Sequence, residues 1–331
     1  MPTNNTQERI VNYIRINNQA RVSDLVRALS PLGRVGIHRQ LKKLIAEGAI
    51  KKIGRPPIVY YLLADKKKIA TVFSLNEKTR SAIENNYLYI TPQGEILPGM
   101  DGFVRWATNT KQADRIPHLT DLYVHTRSLY DKHRASWGWI NATRKLTDTF
   151  PEVFLDKLLY ADFYSLPQFG KTKLGAMMLY AKQSQNQELI KNVSLTIKPL
   201  VESIIEVYKI DTVAYVPPSI PRNVQFMREM AACLALSLPT INLVKTRTGP
   251  IIVAQKTLEK LDERVANARD TIFVKNIEKT YHTVLLIDDA VGSGASMNEV
   301  AKKLITQTHI PKVIGFAVVG SLKGFEIIRE V

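Results

Sequence analysis

The chain has 331 residues, 45% hydrophobic and 23% charged, an ordinary globular balance with room for two or three domains. No apolar run reaches the ~18 residues of a membrane span. A single cysteine, Cys233, excludes an internal disulfide framework and any multi-cysteine zinc site.

The opening MPTNNTQERI lacks the charged-then-apolar form of a secretory leader, so the expected setting is the cytoplasm, away from membranes. Cys233 stands in MAACLALSL and reads as a small buried hydrophobe. The net charge of +16 is unevenly spread. Residues 1–70 hold 14 Lys and Arg against 4 Asp and Glu, an excess of +10. Such a concentrated excess reads as a module for a polyanion.

In chain order, QERIVNYIRIN predicts a helix with Ile10, Val11, Ile14 and Ile16 on one face. SDLVRAL follows as a short helix capped by Ser23, with Asp24 at its positive end. Ser30-Pro31-Leu32-Gly33 is a turn. RVGIHRQLKKLIAEG makes a third helix with Val35, Leu41, Leu44 and Ile45 inward, ended by Gly48. AIKKIGRPPIVYYLL is then strand, turn and strand, bent at Gly54-Arg55-Pro56-Pro57.

Three helices and a small hairpin resemble a winged helix-turn-helix domain of the ArsR/MarR type, and the module is bounded here at residues 1–65. The resemblance implies double-stranded DNA as partner, held by a homodimer. The third helix of such a fold enters the major groove and needs donors near its start, where Arg34, His38, Arg39 and Gln40 stand. Lys42 and Lys43 are placed for phosphates, and Arg55 at the hairpin tip for a minor groove or backbone.

Residues 66–165 carry more generic signals. LYITPQGEILPG alternates about Pro92-Gln93-Gly94 as a hairpin. DGFVRWATNTKQ and IPHLTDLYVHTRSLYDKHR read as helices, with Trp106, Leu122, Tyr123 and Leu129 on apolar faces. His118, His125 and His133 have no clustered acid to complete a metal ligand set. The expectation is a mainly helical connecting segment that packs the flanking modules or pairs two chains.

From residue 166 to 331, helices and β-branched runs alternate. LGAMMLYAKQ, SLTIKPLVESIIEVY, VQFMREMAACLALSL and SMNEVAKKLI are helical. DTVAYVPPS, LPTINLV, TIFV, TVLLIDD and VIGFAVVG are strands. That rhythm predicts an α/β fold with a doubly wound parallel sheet, whose ligands sit beyond the strand carboxyl ends. The segment VLLIDDAVGSGAS, residues 284–296, is the most specific in the chain. VLLI suits a strand buried on both faces, and Asp288 and Asp289 then emerge at its end. Gly292 and Gly294 permit a close turn, and Ser293 to Ser296 lead into a helix N-terminus that binds phosphate. Acids beside a phosphate nest suit a sugar phosphate.

This segment resembles the signature by which type I phosphoribosyltransferases bind phosphoribosyl pyrophosphate (PRPP): four hydrophobics, two acids, two hydrophobics and a hydroxyl- and glycine-rich loop. It departs mildly: Gly292 precedes Ser293, and Ser296 stands where threonine is usual. TGPIIVAQKTLEKLDERVANARDTIFV and VPPSIPRNVQF further resemble the ComF/amidophosphoribosyltransferase-like branch, through Gln255, Lys256, Leu258, Glu263, Arg264, Asn267 and Phe273. The zinc ribbon of ComF proteins is absent from this chain. The resemblance implies that Asp288 and Asp289 hold the ribose hydroxyls, directly or through Mg²⁺ carried by PRPP. It implies that Ala290, Val291, Gly292, Ser293, Gly294, Ala295 and Ser296 cradle the 5′-phosphate. Val216, Pro217, Pro218 and Ser219 would form the pyrophosphate loop. Residues 245–269 would be a mobile hood offering Lys245, Arg247, Lys256 and Arg264, with Arg222 a further cation.

The combination implies a DNA-binding protein with a PRPP-binding domain, acting as a ligand-responsive regulator or a DNA-associated phosphoribosyltransferase. The alternatives are an active transferase effector or toxin, of phage-defence or toxin–antitoxin type, and a ComF-like accessory of DNA uptake. The residues do not separate binding from turnover and do not name the acceptor.

Overall fold

The computed structural model describes residues 6–64, 75–246, 260–275 and 279–321. The chain divides into two compact units, Met1–Ser74 and Leu75–Val331.

The first unit consists of α1 (Thr6–Asn17), α2 (Val22–Ala28), α3 (Arg34–Ala46), β1 (Ile50–Arg55) and β2 (Ile58–Leu63). The two strands form an antiparallel hairpin from Ile50↔Leu63 to Arg55↔Ile58, so Pro56 and Pro57 alone make the turn. Ile10, Ile14, Leu25, Ile37, Leu41, Leu44, Ile50 and Tyr61 close a small core. Three expected inward residues point away from it: Ile16 is 79% exposed, Val35 85% and Ile45 40%. The reason is helical geometry. A step of one residue turns the helix by about 100°. Val35 and Ile16 are therefore each about 200° from the buried Ile37 and Ile14, and Ile45 about 100° from Leu44. Nor does Ser23 cap the second helix. Arg21 holds the cap position, and its N–H donates to the Asp24 carboxylate at 2.8 Å.

The second unit begins with α4 (Glu77–Asn86), the hairpin β3 (Leu88–Ile90) and β4 (Ile96–Pro98), α5 (Gly99–Asn109) and α6 (Ile116–Asp131). Tyr87, Phe103, Trp106, Tyr123 and Phe169 form an aromatic cluster there, with ring centroids 5.0–6.3 Å apart. Next come β5 (Ile140–Asn141), α7 (Thr143–Thr149), β6 (Lys157–Phe163), β7 (Ser165–Leu166), β8 (Gly170–Lys171), α8 (Lys173–Ser184) and α9 (Gln187–Tyr208). The chain continues through β9 (Thr212–Tyr215), α10 (Phe226–Leu234), β10 (Thr240–Ile241), β11 (Leu243–Lys245), α11 (Leu261–Thr271) and β12 (Ile272–Val274). It closes with β13 (Thr283–Val291), α12 (Ala295–Thr308) and β14 (Lys312–Gly320).

Six strands form the main sheet in the order β10-β9-β13-β14-β6-β5, parallel except for the antiparallel edge strand β5. The stretch read as connecting thus contributes β6, paired along its length with β14. LPTINLV splits into β10, which joins the sheet, and β11, which leaves it to pair antiparallel with β12.

Val284 to Ile287 on β13 are fully buried and hydrogen-bonded to a strand on each side. Successive side chains point to opposite faces. Leu285 and Ile287 pack with α8, α9 and α10 through Met178, Ile197 and Met230. Val284 and Leu286 pack with α7 and α12 through Leu146, Val300 and Leu304. Each such side chain contributes about 1.5–3 kcal/mol by leaving water. α9 shows the matching helical pattern, burying Ile190, Val193, Ile197, Val201 and Ile204. Cys233 near the end of α10 is only partly buried, a correction to its expected place in the core.

α8 is fixed with unusual care. Thr172 accepts from the Gly175 N–H at 3.0 Å and donates its hydroxyl to the Phe163 carbonyl at 2.6 Å, tying the helix start to the end of β6. A Cβ on Gly175 would stand 2.2 Å from the Tyr164 carbonyl oxygen, so only glycine allows this approach.

Candidate functional site

β9 ends at Tyr215, and its last contact with β13 is the Val216 N–H donating to the Ile287 carbonyl at 2.9 Å. β13 runs four residues further, still paired with β14. The strand therefore does not end on the acids as its sequence implied. Asp288 and Asp289 lie within it, on the stretch that has outrun β9. The space left by β9 is a cavity of ≈ 200 Å³.

One wall is built from consecutive residues. Asp288 to Ser296 all line the cavity, as does Met297. Gly294 caps α12 with φ of +91°, and a Cβ there would meet the Leu146 Cδ2 at 2.7 Å. The turn brings the first N–H groups of α12 to the cavity edge. Such groups lack intrahelical partners and, with the helix dipole, receive an anion. Behind the turn, Ser321 donates its N–H to the Val291 carbonyl at 3.1 Å. The buried Lys145 donates to the Ser321 carbonyl and hydroxyl at 2.9 and 2.7 Å. Asn298 joins α12 to the preceding layer by accepting from the Phe154 N–H and donating to the Glu152 carbonyl, both at 2.9 Å.

The opposite wall is assembled from separate elements: Tyr164, Met178 and Lys182, the loop Val216 to Ile220, Arg222, Gln225 to Met227, and Arg264 of α11. Pro217, Pro218 and Ser219 thus face the same cavity as the acid pair. Lys245, just behind the loop, donates to the Ser219 hydroxyl at 3.1 Å and to the Asn267 side chain at 3.4 Å. Arg264 is 7% exposed. Lys256 and Arg247, with Gln255 and Leu258, lie outside the described residues.

The two acids are unequal. Asp289 is ion-paired, with its Oδ2 2.6 Å from the Lys182 Nζ, and its own N–H donates to the Asp288 carboxylate at 2.8 Å. Burial, then the neighbouring Asp289 charge, push the Asp288 carboxyl up to about 7. Lys182, the Asp289 N–H and Lys245 hold it from going higher. Burial conversely lowers the Lys245 ammonium, with Asp288 opposing. Lys182 escaped the sequence reading. Its only signal is a cation one helical turn beyond the buried Met178, on a face that otherwise packs inward.

In the first unit, Arg34, His38, Arg39, Lys42 and Lys43 of α3 are exposed, while Gln40 is half-buried. Arg55 is exposed at the hairpin tip. Among the described residues, no group of three or more His, Cys, Asp and Glu is placed to hold a metal. No described helix is long and apolar enough to cross a membrane.

No family model matches the sequence, and no curated protein matches it significantly. Solved structures with local likeness include the xanthine-guanine-hypoxanthine phosphoribosyltransferase of Helicobacter pylori, at 17% identity over 43% of this chain and 81% of that one, with a TM-score of 0.26. A hypoxanthine phosphoribosyltransferase from Staphylococcus aureus matches at 12% identity over 44% of this chain and 71% of that one, with a TM-score of 0.24.

Proposed function

We propose that the α/β unit is phosphoribosyltransferase-like and binds PRPP in the cavity between β13 and the β9–α10 loop, and that the basic N-terminal unit is a winged helix-turn-helix that binds double-stranded DNA. The observation that carries the proposal is that two adjacent carboxylates and a glycine-turned helix N-terminus face one cavity. Carboxylates accept hydrogen bonds from vicinal hydroxyls, and free helical N–H groups take a phosphate. A pentose 5-phosphate offers both.

In this reading Asp288 and Asp289 orient the ribose, and residues 290–296 hold its phosphate. The loop from Val216 to Ser219, with Arg222 and Arg264, faces the pyrophosphate. As the C1–oxygen bond to pyrophosphate lengthens, positive charge grows on the sugar and negative charge on the leaving group. The chain's part is to align the sugar, neutralise the leaving oxygens and exclude water. Mg²⁺ is the fitting cofactor, because it is commonly held by one or two carboxylates plus substrate phosphates. Asp288 and Asp289 supply that donor set, and the ion would neutralise pyrophosphate charge.

The preferred role is a ligand-responsive regulator or DNA-associated transferase, acting as a homodimer on DNA. Binding of PRPP then shifts DNA affinity by stabilising one of two states. The Gln255-Lys256-x-Leu258 segment of the sequence, which lies outside the described residues, is what favours retained turnover over sensing alone. That leaves the effector or toxin reading open, as well as a DNA-uptake accessory. The test is incubation with PRPP, Mg²⁺ and a panel of nucleobases and amines, with pyrophosphate as readout, beside gel shifts with and without PRPP. Pyrophosphate release marks the enzyme. PRPP-dependent DNA binding without release marks the regulator, and a chain that does not bind PRPP at all contradicts the proposal.

A further inference from the structure

The turn between β13 and α12 is backed by a buried lysine that lies outside the cavity lining. Ser321, the residue after β14, donates its N–H to the Val291 carbonyl at 3.1 Å and its hydroxyl to the Gly292 carbonyl at 3.4 Å. Lys145 of α7, 7% exposed, donates to the Ser321 hydroxyl at 2.7 Å and to the Ser321 carbonyl at 2.9 Å. Burying an ammonium costs free energy that its surroundings must offset. The Tyr160 ring lies 5.9 Å from this ammonium, and a Cβ on Gly320 would stand 2.1 Å from that ring. The end of β14 is therefore seated closely between the ring and the turn.

The donors give this chain of bonds a direction. An ammonium only donates, so the Ser321 hydroxyl accepts from Lys145 and keeps its own hydrogen for the Gly292 carbonyl. That last bond is long, so its orientation depends on Lys145 occupying the hydroxyl from the other side. Two successive carbonyls, those of Val291 and Gly292, therefore face Ser321. In a planar trans peptide the following N–H points opposite to the carbonyl. The N–H groups of Gly292 and Ser293 are thus turned away from Ser321, toward the cavity that both residues line. Successive N–H groups aimed one way make a concavity for an anion, here just ahead of those that open α12.

We infer that Lys145 is a positioning residue: acting through Ser321, it orients the turn so that the Gly292 and Ser293 N–H groups meet the phosphate of the ligand. The inference rests on the sugar-phosphate reading above and deepens it. Lys145 and Ser321 stand behind the turn and work through its peptide groups. Donors already oriented need no rearrangement when the anion arrives, so loosening them lowers phosphate affinity at this turn.

The experiment is calorimetric titration of the full chain with ribose 5-phosphate and, separately, with inorganic pyrophosphate, at one fixed Mg²⁺ concentration. Lys145→Met keeps the length of the stem and removes its donors. Ser321→Ala removes only the hydroxyl and guards against a Met variant that fails to fold. Each is expected to weaken ribose 5-phosphate by about tenfold, the scale of one hydrogen bond to a charged group. Because the two residues act in series, the double variant should stay within about threefold of Lys145→Met alone, rather than multiplying the two losses. Pyrophosphate, which in the same reading lies on the facing loop, should bind the variants as it binds wild type. Unchanged ribose 5-phosphate affinity in Ser321→Ala, losses that multiply, or an equal loss for pyrophosphate would overturn the inference while leaving the sugar-phosphate site standing. If wild type fails to bind ribose 5-phosphate, the site reading itself fails and the inference falls with it.

Discussion

The two walls of the cavity do different physical work. The wall from Asp288 to Ser296 is a single run of chain, rich in small residues, whose polar groups are two carboxylates and backbone N–H groups. It is stiff: β13 is paired through Val291, Gly294 is wedged against Leu146, and Ser321 and Lys145 brace it from behind. The facing wall gathers the long cationic side chains of Lys182, Arg222 and Arg264 from separate elements. The first wall is placed by strand pairing and a turn, whereas the cations of the second are placed by side-chain contacts between separate elements.

The largest effect should come from the stiff wall. Asp288→Asn with Asp289→Asn is expected to weaken PRPP binding at least a hundredfold by calorimetry, roughly the loss of two hydrogen bonds to charged groups. The fold should persist, since neither acid lies in the apolar core. Unchanged affinity would detach the acid pair from the ligand. Gly294→Ala comes next. Strain at positive φ together with the Leu146 contact should cost about 1–3 kcal/mol and lower both the thermal midpoint and the phosphate affinity.

A subtler effect is the pH response. The Asp288 carboxyl titrates at about 7, above the ordinary carboxylate value near 4. A raised carboxyl contributes stability that is present below the unfolded value and lost as pH climbs through the folded one. The unliganded protein should therefore lose stability between about pH 4 and pH 7 through this group, and Asp288→Asn should flatten that part of the profile. Ligand that needs the ionised acid should bind more tightly as pH rises through the same window. A profile that Asp288→Asn leaves unaltered would contradict the assignment. Smallest for this cavity is Arg39→Ala in the first unit, expected to weaken DNA binding by about 1–3 kcal/mol in gel shifts and to leave PRPP affinity alone.

The legibility of the sequence follows the same division. VLLIDDAVGSGAS could be read because its wall is contiguous: the turn and helix appear where the glycines and small residues place them, while the strand runs past the acids to Val291. The helices and hairpin of the first unit were legible from period and turn residues. Which side faced inward was less so, because Val35 and Ile16 are apolar yet lie half a turn from the core. KLLYADF carries a strand's apolar run, but its partner β14 lies about 150 residues away, and no local pattern records that pairing. Lys182 was illegible for the same reason. Its counter-ion Asp289 is distant in sequence, so only the packing of α8 on the sheet reveals the pair.

The most direct test is a crystal structure of the full chain with PRPP and Mg²⁺. The account predicts the 5′-phosphate on the N–H groups that open α12 and the ribose hydroxyls against Asp288 and Asp289. Clear density for PRPP anywhere else, with this cavity empty, would contradict it.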